Sequence, residues 1–198
     1  MIKAIVVDVG GVLVQTLDYS PRRLWENKLH LLAGQISKEV YELEPGDLAT
    51  TGQVKPERIW MDIQKKFALT QKDLSQLELD FYSGDIRNEE FYAFMQSIRA
   101  KYQTAILSNA WLDAREIFTN HYHLDQIVDQ MIISAEEGMR KPNKEIFMLM
   151  LQRLKVQAEE VLYVDDDSTN IYSADALDIN AVLFTTTKET IEHMKKFL

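Results

Sequence analysis

The chain has 198 residues, 46% of them hydrophobic and 27% charged, which suits one globular domain with a sizeable insertion, or two small domains sharing a core, and excludes a disordered chain. It contains no cysteine, which rules out disulfides and thiolate metal sites and makes the cytoplasm the default compartment. A net charge of −9 with no Lys/Arg run repels phosphate backbones, so nucleic acid is not an expected partner, whereas a small anionic substrate needs only a few cations gathered locally.

The first predicted element is a short apolar run, Ile5-Val6-Val7, that delivers Asp8 into Val9, Gly10 and Gly11. A run of this length ending in an acid and two glycines reads as a buried strand entering a tight turn. The same residues interrupt the run, so neither a signal peptide nor a membrane span fits, and no membrane partner is expected.

From 15 to 85 the pattern is helical and contains no convincing strand. Ser20-Pro21 supplies a capping residue and a first-turn proline for a helix carrying Leu24, Trp25, Leu29 and Leu32 until Gly34. Pro56 opens a second helix, with Ile59, Trp60, Ile63 and Phe67 at helical spacing. Thr70 with Asp73 forms a capping-box variant ahead of Leu74, Leu77 and Phe81.

At Asn88 the pattern becomes an alternation. Asn88 caps a helix bearing Phe91, Phe94, Met95 and Ile98, and Thr104–Asn109 reads as a strand ending in polar residues. A helical stretch near 111–120 precedes a strand at 130–134, and Asn143 caps a helix with Ile146, Phe147, Met150 and Leu154. Val161–Val164 is a strand running into Asp165-Asp166-Asp167, residues 169–177 form a helix of small residues, and Ala181–Phe184 is the last strand. Strands separated by helices imply crossovers and a parallel sheet. The expected fold is therefore α/β, a Rossmann-like doubly wound parallel sheet built from 1–14 plus 86–198, with 15–85 as an inserted helical subdomain.

Asp8, Ser108-Asn109 and Asp165-Asp166 stand at strand ends, and Lys141 lies on the loop after the 130–134 strand. In a parallel sheet all of them face one crevice. Carboxylates there suit a hard divalent cation, Mg²⁺ being the usual choice where a phosphate supplies further oxygens. Lysine and hydroxyl suit the phosphate itself. Each piece alone has a plainer reading: Asp-Gly-Gly as turn chemistry, Ser-Asn as a helix cap, Arg140-Lys141-Pro142 as a solvated loop, and 165–167 as surface acids.

The order Asp8, Ser108, Lys141, Asp165-Asp166 resembles the four motifs of the haloacid dehalogenase (HAD) superfamily, over the whole chain, with the helical insertion resembling that superfamily's cap. The resemblance implies a phosphatase in which Asp8 attacks phosphorus and the resulting aspartyl-phosphate is hydrolysed by water. It implies that Gly11, Ser108, Asn109 and Lys141 bind the phosphoryl group, that Asp8, the Gly10 carbonyl and Asp166 hold Mg²⁺, and that Asp165 and Asn170 support that set. The substrate would be a small phosphorylated metabolite chosen by cap residues, and nothing in the sequence sets an oligomeric state.

Gly10 departs from the superfamily pattern, which usually has there a second Asp that protonates the leaving group. General acid catalysis is worth about 10² to 10⁴-fold, so leaving groups of low basicity (sugar 1-phosphates, acyl or aryl phosphates) should suffer least. Otherwise Asp18 or Tyr19 donates the proton. Glycines at this motif also resemble the branch near the glucose-1-phosphate phosphatases and the phosphatase domain of epoxide hydrolases.

Three other readings compete. A response-regulator receiver places its acidic pair first and its Lys-Pro last, the reverse of the order here. A silent phosphometabolite- or protein-binding member is suggested by Gly10. A 2-haloacid dehalogenase has no need of the acidic pair. Trp111 either lines a substrate pocket or packs in the core. Arg22 and Arg23 belong to a solvated helix face, and His121 and His123 lack a third ligand at metal spacing.

Overall fold

Alternation along the first strand sets the layering. In the computed structural model, which describes residues 1–198, β1 (Ala4–Val7) sends Ile5 and Val7 to one face and Ala4 and Val6 to the other, all four fully buried. A strand apolar on both faces belongs in a sheet covered by helices on both sides.

After β1 come β2 (Val14–Thr16) and five helices: α1 (Ser20–Lys28), α2 (Gln35–Tyr41), α3 (Glu44–Ala49), α4 (Pro56–Lys66) and α5 (Gln71–Tyr82). Next are β3 (Asp85–Arg87), α6 (Glu89–Ile98), β4 (Gln103–Ser108), α7 (Ala114–Asn120), β5 (Gln130–Ile133) and α8 (Ser134–Glu137). The chain ends with α9 (Lys144–Leu154), β6 (Val161–Asp165), α10 (Ser168–Asp175), β7 (Asn180–Leu183) and α11 (Thr187–Met194). No helix is long and apolar enough to cross a membrane.

Five strands form one parallel sheet in the order β5-β4-β1-β6-β7. One face packs on residues of α6, α7 and α11 (Phe91, Met95, Phe118, Met194) and the other on α9 and α10 (Phe147, Met150, Ala174). Burying each such side chain contributes about 1.5–3 kcal/mol. The chain winds outward from β1 in both directions, so the topological switch lies beside the central strand, at its carboxyl end.

The helices before β3 build their own cluster, in which Trp25, Ile36, Val40, Trp60, Leu77 and Phe81 meet. β2 and β3 pair antiparallel as a separate two-stranded ribbon at the two ends of this helical segment. Sequence reading missed the ribbon: three-residue strands of mixed polarity carry no period. The 20–32 helix is shorter than expected, because the chain turns at His30, which takes φ 56°. The capping expected of Thr70 and Asn88 is present, their side chains accepting Asp73 N–H at 3.1 Å and Phe91 N–H at 3.2 Å. Two expected caps are not. Asn143 makes no side-chain cap and instead closes a turn through its N–H to the Arg140 carbonyl at 3.0 Å, and Asp18, not Ser20, satisfies the first amide of α1.

Candidate active site

Asp8 is the first residue beyond β1, and its N–H still donates to the Val164 carbonyl at 2.9 Å, so the sheet ladder holds its backbone. Its Oδ1 accepts the Val9 N–H at 2.7 Å, which turns Oδ2 toward Lys141 Nζ at 3.0 Å. Lys141 is 1% exposed, and its ammonium also donates to Asp165 Oδ2 at 2.7 Å. A buried cation thus bridges two carboxylates from neighbouring strands.

Asp165 is fully buried, and every direction around its carboxylate is used. Besides Lys141 it accepts the Tyr163 hydroxyl, the Asp167 N–H at 2.8 Å and the Asn170 amide at 3.1 Å. Asp165 therefore holds the ammonium against Asp8, and Asn170 fixes Asp165. The sequence marks Tyr163 only as part of the Val161–Val164 strand; its phenol, packed edge-on to Phe147, is a part of the site that no motif signals.

Burial raises the Asp8 carboxyl to about 6, with Asp165 adding repulsion and Lys141 only partly offsetting both. Burial alone would push the Lys141 ammonium down, but the two carboxylates outweigh it and hold its pKa above the usual value. Removing the cation strands one fully buried carboxylate and one nearly so. Lys141→Met is therefore expected to destabilise the fold by about 3–5 kcal/mol, read as a lower urea midpoint with an unchanged m-value.

Asp166 is exposed beside this pair, and oxygens of Asp8, Asp165 and Asp166 lie within 4.8 Å of one another, the one acidic group in the chain spaced for a metal ion. Asp165 already accepts from four groups, whereas Asp8 has a single partner on each oxygen and the Asp166 side chain has none, so Asp8 and Asp166 are the two with lone pairs left for a cation. Partial burial of its carboxyl and the neighbouring Asp165 raise the Asp166 pKa too, so a divalent cation would relieve an existing excess of negative charge. All-oxygen donors fit a hard cation. Gly11 has φ +73° and packs on Asp166 so closely that a Cβ would lie 1.9 Å from Oδ2. Gly11 thus sets the place of Asp166 as well as the turn. Gly10, by contrast, has open space where a Cβ would stand.

Ser108 ends β4 one strand away, is 3% exposed, and its hydroxyl makes no internal hydrogen bond; no buried side-chain donor or acceptor is unpartnered, so this hydroxyl reaches solvent. The Asn109 side chain is tied to the Lys141 loop. Its Oδ1 accepts the Lys141 N–H at 2.8 Å and its Nδ2 donates to the Lys141 carbonyl at 2.9 Å, so the side chain clamps the lysine's backbone. Asn109 keeps its backbone N–H and the second hydrogen of Nδ2 for an anion, and Gly10 its backbone N–H; neither backbone N–H makes a backbone hydrogen bond.

Asp18 is a poor proton donor: its carboxylate accepts the Ser20 N–H at 2.8 Å, a bond that lowers its pKa. Arg22 is buried, not solvated, and its guanidinium bonds the Phe81 carbonyl, Ser37 and Asp85. His121 meets the Tyr122 ring edge-on, and His123 meets the Thr119 carbonyl. A surface hollow of about 540 Å³ beside Arg99 and Arg115 lies at the amino end of β5, the opposite end of the sheet, and both arginines there are already paired.

Residues 2–178 match the haloacid dehalogenase-like hydrolase family. D-ribitol-5-phosphate phosphatase of Bacteroides thetaiotaomicron is 28% identical over 192 residues, covering 87% of this chain and 86% of that protein. Acyl-CoA dehydrogenase family member 10 of Mus musculus is 23% identical over 218 residues; the match takes in 99% of this chain but spans only 19% of that longer protein. A HAD family enzyme of Bacteroides thetaiotaomicron, solved in complex with magnesium and inorganic phosphate, superposes with a TM-score of 0.78 at 19% identity, over 93% of this chain and 95% of that one. The family match runs from β1 to the end of α10 and so takes in every strand end described above, and the chain belongs to the haloacid dehalogenase-like hydrolases.

Proposed function

We propose that this protein hydrolyses phosphate monoesters of small metabolites through a phosphorylated Asp8, with Mg²⁺ as its cation. The observation that carries the reading is Lys141 held between Asp8 at 3.0 Å and the fully buried Asp165 at 2.7 Å, with Asp166 alongside. An ammonium fixed at a carboxylate neutralises an approaching phosphoryl group without reorganising. The D-ribitol-5-phosphate phosphatase and the relative holding magnesium and phosphate support the same chemistry.

Asp8 attacks phosphorus, an Oδ–P bond forming as the bond to the leaving oxygen breaks; water then cleaves the acyl phosphate, returning the carboxylate and releasing inorganic phosphate. Ser108, the free amides of Gly10 and Asn109, and the Lys141 ammonium receive the phosphoryl oxygens. When bound at Asp8, the Gly10 carbonyl and Asp166, Mg²⁺ supplies further positive charge against the phosphate.

Residues 15–85 serve as the cap that closes over this crevice and excludes water. The β2–β3 ribbon is its hinge, tied by Asp85 to Arg22 at 2.9 Å and to Thr16 at 2.6 Å. With no side chain at Gly10 and Asp18 engaged, leaving groups of low basicity are favoured. Turnover of a phosphate panel tests the reading: hydrolysis with Mg²⁺ that disappears on chelation and returns with added Mg²⁺ is expected. Saturable binding of phosphates without any turnover would instead mark a silent binder.

A further inference from the structure

Trp111 stands three residues beyond Ser108, on the loop leaving the carboxyl end of β4, yet its indole is buried in the helical cluster and not in either cluster of the sheet. The helical segment therefore overhangs the strand ends at this point. It touches them again around Lys141: Asp47 of α3 pairs with Arg140, and a Cβ on Gly52 would lie 2.3 Å from the Ala135 carbonyl oxygen. The crevice above Asp8 is thus roofed by helices, with one wall beginning at Trp111.

That wall is aromatic and carries polar groups. The ring of Tyr41, at the end of α2, lies 5.8 Å from Trp111 and 5.4 Å from Phe81, and Tyr82, at the end of α5, lies 5.0 Å from Phe81. Tyr41 and Tyr82 keep 42% and 36% of their surface open. Burial nonetheless pushes both phenols well up, as expected of side chains that are wet but ringed by protein. Trp111 is 7% exposed, and its indole N–H has no partner in the chain although it is not sealed from solvent. Buried indoles ordinarily find a partner.

We propose that Tyr41, Tyr82 and Trp111 form the leaving-group subsite, and that it takes an uncharged, hydroxylated group and rejects one carrying a second anion. The inference rests on the phosphatase reading above. Ring faces stack on the C–H faces of a sugar, while two phenols and an indole N–H bond its hydroxyls. The rejection comes from Glu78, one helical turn before Tyr82 on the same side of α5, and from Asp113, two residues beyond Trp111 at the start of α7; both are exposed and neither forms an ion pair. Asp85, the third acid near Tyr82, is neutralised by Arg22.

Steady-state kinetics on mannose 1-phosphate, mannose 1,6-bisphosphate, geranyl phosphate and acetyl phosphate test the subsite. The monophosphate should exceed the bisphosphate and the apolar ester in kcat/KM. Tyr41→Phe and Tyr82→Phe should each lower the ratio of mannose 1-phosphate to acetyl phosphate about fivefold to tenfold, mainly through KM, the size of a lost hydrogen bond. Asp113→Asn with Glu78→Gln should raise bisphosphate turnover relative to monophosphate about threefold to tenfold. A ratio unmoved by either tyrosine variant, or a preference for geranyl phosphate, overturns the subsite while leaving the phosphatase reading intact. Failure of the native protein to hydrolyse even acetyl phosphate overturns both.

Discussion

Asp8→Asn is expected to abolish turnover and at the same time make the protein more stable at neutral pH. The first half follows from the nucleophile: an amide of the same shape forms no phosphoryl bond, so hydrolysis of every phosphate should fall to background. The second half follows from burial. The folded chain holds the Asp8 proton up to about pH 6, whereas an unfolded carboxyl releases it near 3.8. The folded form is therefore favoured by this group below pH 3.8, and that advantage is lost as pH rises from 3.8 through 6. Above that window the native protein carries an ionised carboxylate that folding disfavours by about 3 kcal/mol, at 1.36 kcal/mol per pKa unit. Asparagine removes the charge and keeps the shape. Thermal unfolding at pH 7 without metal should show the variant melting roughly 6–12 °C higher, a gap that closes toward pH 4. Added Mg²⁺ should stabilise the native protein more than the variant. A variant that is less stable at pH 7 would mean that Lys141 depends on the Asp8 charge more than Asp8 suffers from burial.

How much of this was legible in the sequence differs by residue. Apolar runs of strand length, each broken by an acid, put Asp8, Asp165 and Asp166 at strand ends, and only their order with Ser108 and Lys141 lifted them above turn and surface chemistry. The crevice followed, since a parallel sheet gathers its strand ends on one side. The role of Asn109 was not legible, because an amide beside a strand end serves a phosphate or a backbone equally well, and its choice depends on where the Lys141 loop lies. Tyr163 was hidden for a related reason: alternation marks a buried position and says nothing of where a phenol hydroxyl points. Trp111 belongs by sequence to the α/β core and by packing to the helical segment, a contact that neither helical nor strand period encodes. Gly10 and Gly11 read alike as a turn, yet one is spatially required by Asp166 and the other is not.

That difference between the glycines sets up the opposite experiment. Gly10→Asp is expected to increase turnover of phosphates with strongly basic leaving groups, by up to about 10²-fold, the lower end of what general acid catalysis supplies. A Cβ at Gly10 meets nothing within 4 Å, and its φ lies outside the left-handed region, so the backbone accepts the side chain without strain. Gly11→Asp is the control, because a Cβ there meets the Asp166 carboxylate at 1.9 Å with φ at +73°, and this change should lose activity. The measurement is log(kcat/KM) against leaving-group pKa for aryl and alkyl phosphates. The native protein should show a steep fall as the leaving group becomes more basic, since nothing at Gly10 protonates it and Asp18 is already an acceptor for Ser20. The Gly10→Asp line should be flatter, crossing the native one so that alkyl phosphates gain and aryl phosphates change little. A native slope that is already flat would mean that another group, with Tyr19 first in line, donates the proton. Gly10 would then lose its hold on substrate choice while Asp8 kept its role.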